Sequence, residues 1–157
     1  MLFGRNPRAT LVRVAVLIAA SVIIFGFVLL PIRLSGISML PTYRSGGLAF
    51  ANRLSYLRRE PARADVVAIR MAGPNVVYVK RIVGLPGERI EIAMGVVLVD
   101  GEPLAEQYVA RKRPWNMPEE TLGDDEYFVI GDNRAMAMKD HDFGKTTRAR
   151  ILGKLVY

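Results

Sequence analysis

Residues 14–32 form an apolar run of 19 positions without a charge, and the pattern behind it is of a different kind. Coiled as a helix at about 1.5 Å per residue, the run reaches about 28 Å, close to the roughly 30 Å hydrocarbon core of a membrane. Ser21 is its only polar side chain, so it lacks the polar stripe of a helix packed on a small domain. A cleaved leader has a shorter apolar region of about 7–15 residues before a small-residue cleavage site. The run therefore predicts an uncleaved transmembrane anchor, with residues 1–13 as a tail before it and 33–157 as a water-facing domain behind it. In that domain the apolar positions fall in short β-branched runs between turn residues. They predict strands at 48–52, 66–70, 76–83, 89–92, 96–99, 127–130 and 151–156. Leu85-Pro86-Gly87 has the order of a type II turn, and Asp100-Gly101 is a hairpin dipeptide. Residues 102–125 are polar and include Arg111-Lys112-Arg113-Pro114-Trp115, so they read as part of an excursion from the main sheet, over about 84–125. The expected fold is mostly β: a small antiparallel domain behind one N-terminal transmembrane helix, with at most a short helical piece elsewhere.

Charge adds direction. Arg5, Arg8, Arg13 and the amino terminus precede the run, against Arg33 and Arg44 in a similar length behind it. The positive-inside rule then puts the N-terminus in the cytoplasm and the domain outside. The net charge of +7 arises from 22 basic and 15 acidic residues, and every acidic residue lies at or beyond Glu60. Six arginines stand between Arg33 and Arg63 inclusive. A basic stripe directly behind a membrane span suits anionic lipid head groups better than nucleic acid, which is not expected as a partner. There is no cysteine, so disulfides give no reading of the compartment. No metal-binding cluster or phosphate-cradling loop stands out, and neither metal nor cofactor is expected.

The segment Ser35-Gly36-Ile37-Ser38-Met39-Leu40-Pro41-Thr42 carries the first candidate chemistry. Gly36 permits a tight turn before a serine and Pro41 stiffens the exit. Such a turn can project Ser38 Oγ while the amides of Ile37 and Ser38 face an incoming carbonyl oxygen, as an oxyanion hole requires. Ser38 lies six residues past Ile32, within about 20 Å of the bilayer edge even if extended. A nucleophilic serine needs a base. The single histidine, His141, lies in the charged stretch Lys139-Asp140-His141-Asp142, which favours a solvated or structural role without excluding a triad. The other candidate is Lys80, inside the apolar run 76–83, where burial would lower its pKa. A lysine snorkelling from a strand is the plain alternative, because valines flank both Lys80 and Arg81 and the buried face is not legible. Arg81 cannot lose its proton and is no base.

Taken together, three segments resemble the successive signatures of type I signal peptidases. They are the Ser35–Thr42 segment, then Tyr78-Val79-Lys80-Arg81-Ile82-Val83-Gly84-Leu85-Pro86-Gly87-Glu88, then Gly131-Asp132-Asn133-Arg134. Order and spacing agree, over roughly residues 30–157, and the single span is similar to the short bacterial and mitochondrial members. The resemblance implies a membrane-bound serine endopeptidase that removes signal peptides from exported preproteins after small residues. In it Ser38 is the nucleophile, Lys80 the general base, and residues 33–157 an extracytoplasmic peptidase domain. Gly36, Met39, Pro41, Asp132, Asn133 and Arg134 would serve as scaffold around the site. Three departures stand out. Gly36 replaces a serine that helps the oxyanion hole in many members. Ala137 occupies the place of a lysine-orienting serine, which leaves Lys139, Asp140 and His141 to fill the usual Asp and Arg positions. Gly46-Gly47 stands where Gly-Asp is common. A peptidase dedicated to one secreted substrate, of the pilin type, and an inactive membrane-tethered binding module are the alternatives.

Overall fold

A computed structural model describes residues 6–72 and 76–156. Arg5 and the amino terminus, invoked above for orientation, lie outside the described residues. The apolar run opens as an α-helix, α1 (Pro7–Ile23), with Asn6 as N-cap and Pro7 in the first turn. It passes into a π-helical turn (Ile24–Val28) and then leaves the helix altogether as β1 (Leu29–Arg33). The helix therefore covers Pro7–Val28, with mean hydropathy 2.6 and no burial in the protein, and 14–32 needs correcting at both ends. Residues 29–32 are apolar enough for either state, and pairing decides it: Leu29↔Asn52 through Arg33↔Leu48 zip β1 onto β2 (Leu48–Asn52). Pro31 is tolerated because β1 is an edge strand. Arg53 ties the two parts together. Its backbone N–H donates to Val28 O (2.9 Å) and its Nη1 to Gly26 O (3.0 Å), satisfying carbonyls at the helix end.

The remaining strands are β3 (Val66–Ala72), β4 (Val76–Gly84), β5 (Arg89–Ala93), β6 (Val96–Val99), β7 (Glu102–Pro103), β8 (Met117–Thr121), β9 (Glu126–Ile130), β10 (Gly144–Thr147) and β11 (Ile151–Val156). Seven form one antiparallel sheet in the order β1-β2-β11-β3-β4-β9-β10, and a smaller sheet runs β7-β6-β5-β8. The expected strands are present with ends within two residues. β1, β7, β8 and β10 were not anticipated. β8 buries only Met117 and so shows no alternation, while Gly144-Lys145-Thr146-Thr147 is too polar to mark β10 by pattern.

The large sheet is covered on both faces. Successive residues of β3 supply different cores. Val66 and Ala68 pack with Ile32, Met39, Tyr43, Ala49, Ala51 and Leu155. Val67 and Ile69 pack with Tyr56, Ile82, Tyr127, Val129 and Ile151. A third core joins the two sheets through Val83, Ile90, Ile92, Val97, Trp115, Leu122, Phe128 and Ile130. This explains why the face of β4 was not legible: from Lys80 to Gly84 every residue is buried.

Candidate active site

The serine turn leads from β1 toward β2. Gly36 has φ of +92°, with nothing within 4 Å of where a Cβ would sit, so glycine is required there for conformation and not for room. Ile37 is exposed, Ser38 half-buried, and Met39 sinks into the core beside Tyr43. Met39 O accepts from Tyr43 N at 2.9 Å, and the Leu40–Pro41 peptide is cis. Neither the Ile37 nor the Ser38 amide donates to a backbone carbonyl among the described residues.

The loop after β9 clamps this turn, one residue after another. Asn133 donates its backbone N–H to Ser38 O (2.9 Å) and its Nδ2 to Ile37 O (3.0 Å). Asp132 is buried, accepts from Thr42 Oγ1, and takes a two-pronged bond from Arg81, Nε to Oδ1 at 2.9 Å and Nη2 to Oδ2 at 2.6 Å. Arg134, 1% exposed, donates Nε to Gly131 O (2.9 Å) and Nη2 to Glu106. Glu106 comes from the 102–125 excursion, and Lys112 Nζ lies 3.4 Å from its Oε2. Arg81 also donates to Ala64 O (2.8 Å) and lies 3.9 Å over the Tyr108 ring. Removing one partner of a buried pair such as Arg81–Asp132 leaves a charge stranded, at a cost of about 3–5 kcal/mol.

Lys80 pairs with Val67 across β3–β4 and is 3% exposed. Burial lowers its amine to about 8 from the ordinary 10.5, with the Asp142 carboxylate pulling the other way. Its Nζ lies 5.9 Å from the Tyr78 ring. Arg81, its neighbour, pairs with Ile130, and Gly131 follows. A methyl on Gly131 would collide with the Ser38 carbonyl oxygen and come within 2.6 Å of His141 Nε2. The backbone thus brings the Ser38 turn against the strand end that adjoins Lys80. No hydrogen bond joins Ser38 Oγ to Lys80 Nζ among the described residues, and such contacts are often loose without substrate.

His141 is not in a solvated setting. It is 4% exposed, edge-on to Trp115 at 5.0 Å and 6.2 Å from Phe143. Burial, then the charges of Lys80 and Arg134, push it down to about 4, so it is neutral at pH 7. Lys139 and Asp140 are exposed, and neither forms an ion pair among the described residues. Ala137 precedes a single 3-10 turn (Met138–Asp140). Sequence reasoning did not single out Thr42, Glu106 or Tyr108, and it considered Arg81 only as a base. A lone glutamate in a polar stretch carries no signal that it will be buried against an arginine 28 positions away.

A cleft of about 250 Å³ opens beside Ser38, between Ile32–Gly36 on one side and Val76–Val79 on the other. Among the described residues there is no group of three or more His, Cys, Asp and Glu suited to a metal ion.

Residues 8–157 match the family described as signal peptidase, peptidase S26. A signal peptidase I of Leptolyngbya laminosa is 32% identical over 127 residues, 76% of this chain and 63% of the relative. A probable signal peptidase I-2 of Synechocystis is 32% identical over 74% of this chain and 56% of its own length. A signal peptidase I of Bacillus amyloliquefaciens is 31% identical over 89% of this chain and 78% of the relative. The chain spans 56–65% of the length of the two cyanobacterial relatives and a third like them. Among solved structures, a signal peptidase I of Enterococcus faecalis aligns with TM-score 0.50 and 27% identity, over 62% of this chain and 98% of that one.

Proposed function

Because this chain belongs to the signal peptidase family, peptidase S26, we propose that it is a membrane-anchored serine endopeptidase that removes N-terminal signal peptides from exported preproteins. Ser38 is the nucleophile and Lys80 the general base. As Ser38 Oγ attacks the carbonyl carbon of the scissile bond, its proton passes to the neutral Lys80 amine. The oxyanion that forms is held by the Ile37 and Ser38 amides. Lys80 then returns the proton to the departing amine, the new N-terminus of the mature protein. A water, losing its proton to Lys80, attacks the acyl-serine ester; the Ser38 oxygen leaves, takes that proton back from Lys80, and the signal peptide is freed. The observation that carries this reading is the burial of Lys80 in the strand bonded to the loop that clamps the Ser38 turn. With its amine at about 8, about one lysine in ten is neutral at pH 7. Lys80 is therefore a base whose supply grows up to mildly alkaline pH.

The cleft beside Ser38 suits the residues before the cut. Val76, Val77, Val79 and Met39 give it an apolar wall, which suits the uncharged residues of a signal peptide. The test is direct. Detergent-solubilised protein incubated with a preprotein should yield two products whose masses report one cut after a small residue. An intact preprotein after prolonged incubation would contradict the reading.

The 22-residue helix Pro7–Val28 is the proposed anchor. Arg8 and Arg13 near its start favour an inward N-terminus, and the exposed Arg53, Arg58 and Arg59 with Leu54 and Leu57 suit the head-group zone on the outer side. Protease added outside sealed, right-side-out membranes should cut the domain's loops and spare an N-terminal tag. A protected domain would refute this orientation.

His141 offers the rival base, and the two mechanisms separate cleanly. With Lys80 as base, His141→Ala loses packing against Trp115, a destabilisation of about 2–4 kcal/mol by analogy with other buried rings. Turnover of the molecules that remain folded then falls far less than the 10⁴-fold or so that loss of a triad member brings. Rates normalised to the folded fraction decide between them.

A further inference from the structure

Two hollows flank the Ser38 turn, and the cleft described above accounts for only one. The second, more open and of about 200 Å³, lies on the Asn133 side. Leu40 and Pro41 of the serine turn, Asn133 and Ala135 of the clamping loop, and Ala110 and Arg111 of the excursion line it. The direction of the substrate follows from the anchor. β1 carries the chain from the membrane helix straight into the wall of the first cleft, through Ile32 and Leu34. A membrane-held signal peptide therefore enters by the first cleft, and the chain beyond the cut leaves across the second hollow.

The charge around that exit is of one sign. Asp132 also borders it, but both its oxygens are taken by Arg81 and Thr42 and it is 1% exposed. Arg111, Lys112 and Arg113 are exposed in sequence order. Lys112 is partnered by Glu106, while Arg111 and Arg113 enter no ion pair among the described residues. Arg111 is the one of these that lines the hollow. A cation at the edge of a low, partly apolar hollow discriminates by charge more than it binds, and does so most strongly at low salt.

We propose, on the basis of the peptidase reading, that this hollow receives the first residues of the mature segment and that Arg111 makes it favour acidic ones. The occupant is a substrate stretch with Asp or Glu within the first few positions after the cut. Like charge at the same positions is disfavoured.

The test uses the full chain in detergent and three peptides identical through the cleavage site. They carry two aspartates, two glutamines or two lysines among the first four residues after it. At low ionic strength kcat/KM should fall in the order Asp, Gln, Lys, with about three- to tenfold between the extremes, the scale of a partly screened charge pair. Arg111→Glu should reverse the order, and 0.5 M salt should compress both series. Equal rates for the three peptides, or an order unchanged by Arg111→Glu, would overturn the proposal while the cleaved glutamine peptide keeps the peptidase reading intact. If no peptide is cut by the wild type, the peptidase reading fails and this proposal with it.

Discussion

Ser38→Ala is expected to leave the protein folded and in the membrane and to lower cleavage by on the order of 10⁴-fold or more, the scale seen when a nucleophile is deleted from a serine enzyme. The substitution removes one oxygen. The ties that hold the turn run through the backbone carbonyls of Ile37 and Ser38, the burial of Met39 and the Thr42–Asp132 bond, and all survive it. Stability should therefore stay within about 1 kcal/mol of wild type. Product masses and a denaturation curve on the same preparation check both halves. Wild-type cleavage by the variant would remove Ser38 from the mechanism.

Lys80 carries the second large effect. Lys80→Arg keeps the positive charge but cannot accept a proton, because a guanidinium holds its own far above the working pH. Turnover should fall by at least about 10³-fold. Lys80→Met should be equally inactive yet more stable at neutral pH, for a reason that can be signed. The buried amine ionises at about 8 and the unfolded one at 10.5, so the unfolded chain holds this proton more tightly. The folded state is therefore penalised fully below about pH 8, and the penalty disappears as pH rises past 10.5. At pH 7 it amounts to about 3 kcal/mol, which Lys80→Met should recover in part. Urea denaturation at pH 7 measures it, and the gain should shrink toward pH 10.5. A Lys80→Met protein less stable than wild type at pH 7 would mean that the amine is not confined as its burial indicates.

Much of this was legible from residues in sequence. The strand at 96–99 announced both its ends, because Val96-Val97-Leu98-Val99 is bounded by Gly95 and by Asp100-Gly101. The Gly36 turn was legible because a glycine two residues before a serine has a conformational reason, and its φ of +92° is that reason. What stayed hidden depends on partners far along the chain. Residues 29–32 looked like more membrane helix until β2 supplied a strand to pair with. Arg81 entered the sequence reading only as a rejected base, yet it reaches 51 residues ahead to Asp132. His141 sits among charged neighbours in sequence but rotates its ring inward onto Trp115. No local pattern encodes a contact of that range, so side chains that hold the site were harder to find than those proposed to react in it.

The signal peptidase fold also explains why a small domain can hold a lysine in this state. Both faces of β4 are covered, so Lys80 has nowhere to snorkel, while Arg81 beside it is compensated by Asp132. The fold thus separates two adjacent cations, one kept charged by a partner and the other made acidic by its absence. Asp142 tempers this by pulling the Lys80 amine upward.

The most direct test of the dyad is the single-turnover rate of the wild-type enzyme measured from pH 5 to 10 with one preprotein. With Lys80 as base, the rate should climb about tenfold per pH unit at the acidic end and level off through an apparent pKa of about 8, the value its burial gives. A rate already level above pH 6, as a base ionising near the His141 value of about 4 would produce, would contradict it.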